Sequence, residues 1–160
     1  MAENLYIADG SKEERYKALL PQIKSLVDNE TDEIANMANI SAMLSATFGF
    51  FWTGFYRVVG DELVLGPFQG PLACTRIKKG RGVCGTAWQE ERVLIVPDVD
   101  LFPGHIACSS LSRSEIVVPL IKDSVVTAVL DIDSENLETF DETDARYLLE
   151  IARLLTNNKQ

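Results

Sequence analysis

Residues 11–28, SKEERYKALLPQIKSLVD, place Tyr16, Leu19, Leu20, Ile23 and Val27 three or four positions apart, so a helix here carries one apolar stripe. Ser11 and Glu14 stand three apart at its start, the spacing at which hydroxyl and carboxylate cap each other's amides. Pro21 has no amide donor, so a kink or a split is expected there. A second helix is expected over 31–47, with Ile34, Met37, Ala38 and Leu44 on one stripe and Ala35, Ala38 and Ala42 small enough for a neighbour to pack closely. Its methionines read as core filling.

At Phe50 the hydrophobic period falls to two. FFWTGFYRVV (50–59) and ELVLGPF (62–68) read as strands joined at Gly60-Asp61. Alternation puts Trp52, Gly54 and Tyr56 on one face and Phe51, Phe55 and Arg57 on the other. The aromatic pair is either core packing or a wall facing a small ligand. A turn-rich stretch, QGPLACTRIKKGRG, leads into a short helix at 83–90, and RVLIVPD (92–98) reads as a buried strand. DLFPGHIACSSLSRS (100–114) is a long loop of the kind that serves as a lid or binding loop. EIVVPLI (115–121) and VVTAVLDID (125–133) form a second hairpin through Lys122-Asp123-Ser124. TFDETDARYLLEIARLLTN closes the pattern as a capped helix with Phe140 as a staple and Leu148, Ile151, Ala152 and Leu155 inward. The order αα–ββ–α–β–ββ–α predicts an α+β fold, one domain over residues 1–160 with a lead-in at 11–28 and a core at 30–155.

Charge narrows the partners. With 15 Lys+Arg against 24 Asp+Glu the chain carries a formal −9, which repels phosphate backbones and anionic lipid. Neither nucleic acid nor a membrane is an expected partner. The opening MAENLYIADG has no basic-then-apolar leader, and no window approaches the roughly 18 apolar residues of a span. A cytoplasmic protein is expected, in a compartment where a disulfide is transient rather than structural.

Against that background the three cysteines matter. Their spacing, Cys74-x9-Cys84-x23-Cys108, lacks the close ligand pairs of a zinc ribbon or finger. Cys84 lies among Gly82, Gly85 and Thr86, and Cys108 among Ala107, Ser109 and Ser110, so neither belongs to an apolar run. Both read as loop thiols available for chemistry, with burial as the competing reading. Cys84 in the first turn of a helix would have its thiolate favoured by the dipole. Asp131 and Asp133 share one strand face, roughly 6.5–7 Å apart by strand rise, as a solvated strand end or a pocket for an ammonium group or a proton donor. Glu115 and the sole histidine, His105, lie in the same thiol-bearing region. His105 could serve Cys108 as a base, but a structurally hydrogen-bonded or exposed loop histidine is the plainer reading.

The segments FFWTGFYRV, LGPFQGPLACTRIKKGRGVCGTAW, VPDVDLFPGHIACSSLSRSEIVVPL and VLDIDS resemble the free methionine-R-sulfoxide reductases, and the order of elements over about 30–155 is similar to the GAF domain that houses them. The resemblance implies a GAF-like central antiparallel sheet, with the N- and C-terminal helices packed on one side and the active-site loops on the other. It implies Cys108 as nucleophile, Cys84 as resolving thiol and Cys74 as auxiliary. Trp52 and Tyr56 then match aromatic pocket residues, and Glu115, Asp131 and Asp133 the acids that bind and protonate substrate, with Glu115 first and Asp133 next as donor. It further implies free methionine-R-sulfoxide as substrate and, as in many GAF domains, a homodimer; joining Cys84 to Cys108 from different loops is expected to move the 100–114 loop, restoring the thiols calls for external electrons from a partner such as thioredoxin, and three cysteines with three carboxylates need no metal or organic cofactor.

Sulfoxide reduction needs a thiolate to attack sulfur and an acid to protonate the departing oxygen, and a second thiol then displaces water from the sulfenic acid. Carboxylates beside Cys108 oppose the thiolate. The expected resolution is that the substrate ammonium offsets part of the charge while one clustered carboxyl keeps its proton. A peptide-bound sulfoxide offers no such ammonium, so free substrate is expected. The alternative is a GAF sensor for a cyclic nucleotide or tetrapyrrole. Asn136, Phe140, Asp141 and Glu142 only loosely echo a cyclic-nucleotide signature, no Cys-His dipeptide offers a bilin attachment, and no second domain is expected to relay a signal.

Overall fold

A computed structural model describes residues 4–105 and 108–157. Ile106 and Ala107, inside the expected lid, lie outside the described residues, as do the first three and last three residues. Helices α1 (Lys12–Asp28) and α2 (Glu33–Phe48) lead into strands β1 (Trp52–Val59), β2 (Glu62–Gln69) and β3 (Arg76–Lys78). Helix α3 (Gly82–Glu90), strands β4 (Leu94–Val96), β5 (Ser114–Lys122) and β6 (Val125–Ser134), and helix α4 (Glu142–Thr156) follow. The sheet is antiparallel in the order β3-β2-β1-β6-β5-β4.

The helix ends follow the capping logic. Ser11 and Glu14 form the expected capping box on α1, and Asp141 with Asp144 forms another on α4. Asp144 is fully buried, accepting from the Tyr16 hydroxyl at 2.6 Å and from Lys12 Nζ at 2.5 Å, so one carboxylate both caps α4 and clasps α1. Pro21 does not split α1, which runs unbroken through it.

The stripe of α2 departs from the expectation. Ile34 is 45% exposed and Ala38 and Ala42 face outward, while Asn36, Met37, Ile40, Ser41, Met43, Leu44 and Thr47 are buried. The polar members of this set sit inside because their side chains have partners: Asn36 Nδ2 donates to the Glu30 carbonyl, Ser41 Oγ to that of Met37 and Thr47 Oγ1 to that of Met43.

Strand alternation divides the core in two. Phe55, Ile116, Val118, Leu120, Leu130 and Ile132 point to one face and pack against α1, α2 and α4. Trp52, Tyr56, Val117 and Val129 point to the other, with α3 and the segment after β2 above them. The fold is therefore α+β with the terminal helices on one side, as expected, and the second face carries α3 as well as loops. Two strands differ from the sequence reading. The stretch 92–98 pairs only over Leu94–Val96, at an edge, and β3 was hidden in a stretch read as turns.

Candidate active site

The site is built by register across three strands. Asp133 on β6 stands opposite Trp52 on β1 and Glu115 on β5, and Asp131 stands opposite Gly54 and Val117. Residues two apart on a strand share a face, so Glu115, Asp131, Asp133 and Trp52 converge above the sheet. Gly54 leaves room here: a Cβ at this position would lie 2.4 Å from Phe68 Cβ and 2.7 Å from the Trp52 ring. Helix α3 lowers Cys84 onto the group from above. Its close approach rests on Gly85, where a Cβ would lie 2.4 Å from the Lys78 carbonyl oxygen.

The two aromatic side chains have more than one task. Trp52 stacks between Tyr56 and Phe68, with centroids 5.9 and 5.3 Å away, and its Nε1 donates to the Pro71 carbonyl at 3.1 Å. The Tyr56 hydroxyl donates to the Cys74 carbonyl at 2.9 Å. Strand β1 thus holds the segment that bears Cys74 while lining the cavity. Phe51 lines the same cavity, although alternation assigned it to the opposite face, because β1 begins only at Trp52.

Above the carboxylates, Cys74 and Cys108 are joined in a disulfide with Cα atoms 5.7 Å apart. The resemblance had paired Cys108 with Cys84 instead. In the structure Cys84 is free, buried, and its Sγ lies 4.0 Å from Glu115 Oε2. It does sit in the first turn of α3, yet its thiol is pushed well up, first by burial and then by the charges of Asp131, Glu115 and Asp133. A helix dipole does not outweigh desolvation beside three acids, so the thiolate expected at Cys84 is not favoured. Of the two cysteines in the disulfide, Cys108 is exposed and lines the cavity mouth.

All three carboxyls are shifted upward. Burial raises Glu115 well above the usual range, and the charges of Asp131 and Asp133 add to it. Asp133, half-buried, is raised by burial and by Asp131, against a 3.0 Å hydrogen bond from Ser112 Oγ that favours its charge. Asp131 is raised by burial, and the neighbouring Glu115, Cys84, Asp133 and His105 side chains partly offset this. Clustered acids cannot all ionise, and here burial removes the water that would screen them. The group therefore retains protons at neutral pH. Tyr56 is also driven upward, by burial first and then by the acids and Cys84, and stays a hydrogen-bond donor.

His105 approaches Glu115, with Nε2 to Oε1 at 3.9 Å and only 15% of its side chain exposed. It is thus directed at an acid of the cavity. Ser112, Ser109 and Arg81 also line the cavity and were not singled out in the sequence; a lone hydroxyl or guanidinium in a loop carries no spacing signal. The cavity beneath the disulfide is about 60 Å3.

An α+β sheet with a thiol pair over a ligand cavity defines a small-molecule domain with redox capability. The sequence profile described as GAF domain matches residues 30–158. "GAF domain-containing protein A" of Dictyostelium discoideum is 63% identical over 98% of this chain and 100% of its own length. The free methionine-R-sulfoxide reductase of Escherichia coli (strain K12) is 44% identical over 91% of this chain and 88% of its own. Among solved structures, the free methionine-R-sulfoxide reductase from Neisseria meningitidis in complex with its substrate superposes with a TM-score of 0.95 at 58% identity, covering 96% of this chain and 93% of that one. The chain belongs to the GAF-domain family, in the branch that holds the free methionine-R-sulfoxide reductases.

Proposed function

We propose that this chain reduces free methionine-R-sulfoxide to methionine, with Cys108 as nucleophile and Cys74 as the thiol that resolves it. The carrying observation is the Cys74–Cys108 bond above Glu115, Asp131 and Asp133. The Cys108 thiolate attacks the sulfoxide sulfur while a carboxyl, Glu115 first, gives its proton to the oxygen. Methionine leaves and Cys108 carries a sulfenic acid. The Cys74 sulfur then displaces that hydroxyl as water, so two protein thiols supply the two electrons and end as the disulfide. This departs from the role the resemblance gave Cys84, which stays a buried thiol against Glu115.

The remaining acids bind the substrate ammonium, and the Trp52 face receives the polarised sulfur end, a contact worth about 0.5–2 kcal/mol by analogy with cations over rings. A peptide-bound sulfoxide leaves the acids without that ammonium and is rejected. Returning the disulfide to thiols requires a dithiol reductant of the thioredoxin kind. A homodimer is the assembly we carry over from the family resemblance.

The test is NADPH consumption with thioredoxin and its reductase on the separate R and S epimers. Turnover of R alone, absent in Cys108→Ser, supports the reading. No turnover of either epimer overturns it.

A further inference from the structure

One group in the cavity has ligating chemistry that sulfoxide reduction does not use. Cys84 Sγ and one oxygen each of Glu115 and Asp131 lie within 4.8 Å of one another. The three residues are 4%, 5% and 6% exposed, so none owes its place to solvent. Asp131 adds an independent sign: its Oδ1 is fully buried and has no hydrogen-bond partner among the described residues. A buried carboxylate oxygen left unpaired is costly, and pairing it requires a proton donor or a cation.

We propose that Cys84, Glu115 and Asp131 form a three-ligand site for a borderline-soft divalent cation of the zinc class, and that its occupation blocks the cavity to substrate. The donor set selects the metal. A thiolate with two carboxylates suits zinc, whereas magnesium and calcium prefer oxygen alone. Zinc bonds of about 2.3 Å to sulfur and about 2.0–2.2 Å to carboxylate put tetrahedral ligand atoms about 3.5 Å apart. Sγ and Oε2 stand 4.0 Å apart and all three ligand atoms lie within 4.8 Å of one another, so closing onto a cation draws them together by roughly 1 Å or less. Three protein ligands leave a fourth position for water.

The metal would sit on Glu115, the first candidate proton donor, and on Asp131, which faces the substrate ammonium. Metal and substrate then exclude each other. The site stands whether or not the chain reduces sulfoxides, because its test reads metal and not turnover.

The experiment uses the oxidised protein. With Cys74 and Cys108 tied together, Cys84 is the one thiol left to bind, so titration with Co2+ reports on that sulfur alone. The expected result is thiolate-to-cobalt charge-transfer absorption with the strong visible bands of a four-coordinate site, saturating at one ion per chain. Zn2+ displaces the ion and Mg2+ does not. Cys84→Ser abolishes the charge-transfer band, and Asp131→Asn weakens affinity by at least about tenfold, by analogy with disrupted metal sites. If Cys84→Ser fails to fold, the wild-type spectrum and Asp131→Asn decide. Absence of the band from the oxidised wild type overturns the proposal, as does a band that survives in folded Cys84→Ser or is indifferent to Asp131→Asn.

Discussion

The two faces of the sheet are made by alternate residues of the same strands and obey opposite rules. Ile116, Leu130 and Ile132 face α1, α2 and α4 in an apolar layer with no exposure to water. One position away, Glu115, Asp131 and Asp133 face α3 and a disulfide, where burial works against their charge. The first face gains stability from burial. The second spends part of it to hold acid protons against a thiol pair, the pattern expected where function overrides local rules.

The sharpest test of that contrast is Cys108→Ser, which should take sulfoxide reduction to background and, with variant and wild type both melted in excess reductant so that neither holds the Cys74–Cys108 bond, leave the melting temperature unchanged. A parallel fall in melting temperature would place Cys108 in the structural half instead. Next come matched substitutions on opposite faces. Leu130→Ala should lower stability by about 2–5 kcal/mol in denaturant titration, as a fully buried leucine leaves a cavity. Glu115→Gln should do the reverse, raising the melting temperature while cutting turnover by about 10²–10⁴, the usual worth of acid catalysis. If both substitutions destabilise, the second face is not strained and the contrast fails.

A finer prediction separates the thiols. Cys74→Ser should stop at the sulfenic acid, releasing one methionine per chain and leaving Cys108 open to trapping by a dione reagent. Cys84→Ser should still form the disulfide, visible by mass spectrometry. Equal disulfide loss in both would restore Cys84 as a resolving thiol. The smallest effect is the dependence on pH. In the folded chain the three carboxyls titrate above their unfolded range of about 4, so between the two the native state binds more protons. Their contribution is full below the unfolded value and is lost as pH rises through the folded ones. The denaturant midpoint should therefore fall with rising pH across this window, and less steeply in Glu115→Gln.

The architecture was readable because period and capping are local properties. Ser11 with Glu14, Asp141 and the alternating runs of β1, β5 and β6 announced their elements. What sequence could not resolve depended on contacts between distant segments. The buried side of α2 turned on hydrogen bonds that let Asn36, Ser41 and Thr47 go inside, and β3 is a three-residue strand defined only by its pairing with β2. Strand parity put Asp131 and Asp133 together, but that Glu115 joins them depends on the β5–β6 register. The choice between Cys74 and Cys84 as partner of Cys108 lay further still from view. It rests on how Trp52 and Tyr56 hold the 71–74 segment beside the mouth, while α3 sinks Cys84 beneath it.

The Cys74–Cys108 bond spans 34 residues, enclosing β3, α3 and β4. Closing a loop of that length restrains the unfolded chain by roughly 4 kcal/mol on the chain-entropy account. In the cycle proposed above, the spent protein would therefore be the durable one, and the reduced protein the one most open to proteolysis. An interruption in the supply of reductant would leave a stock that is idle but preserved, ready to resume when electrons return.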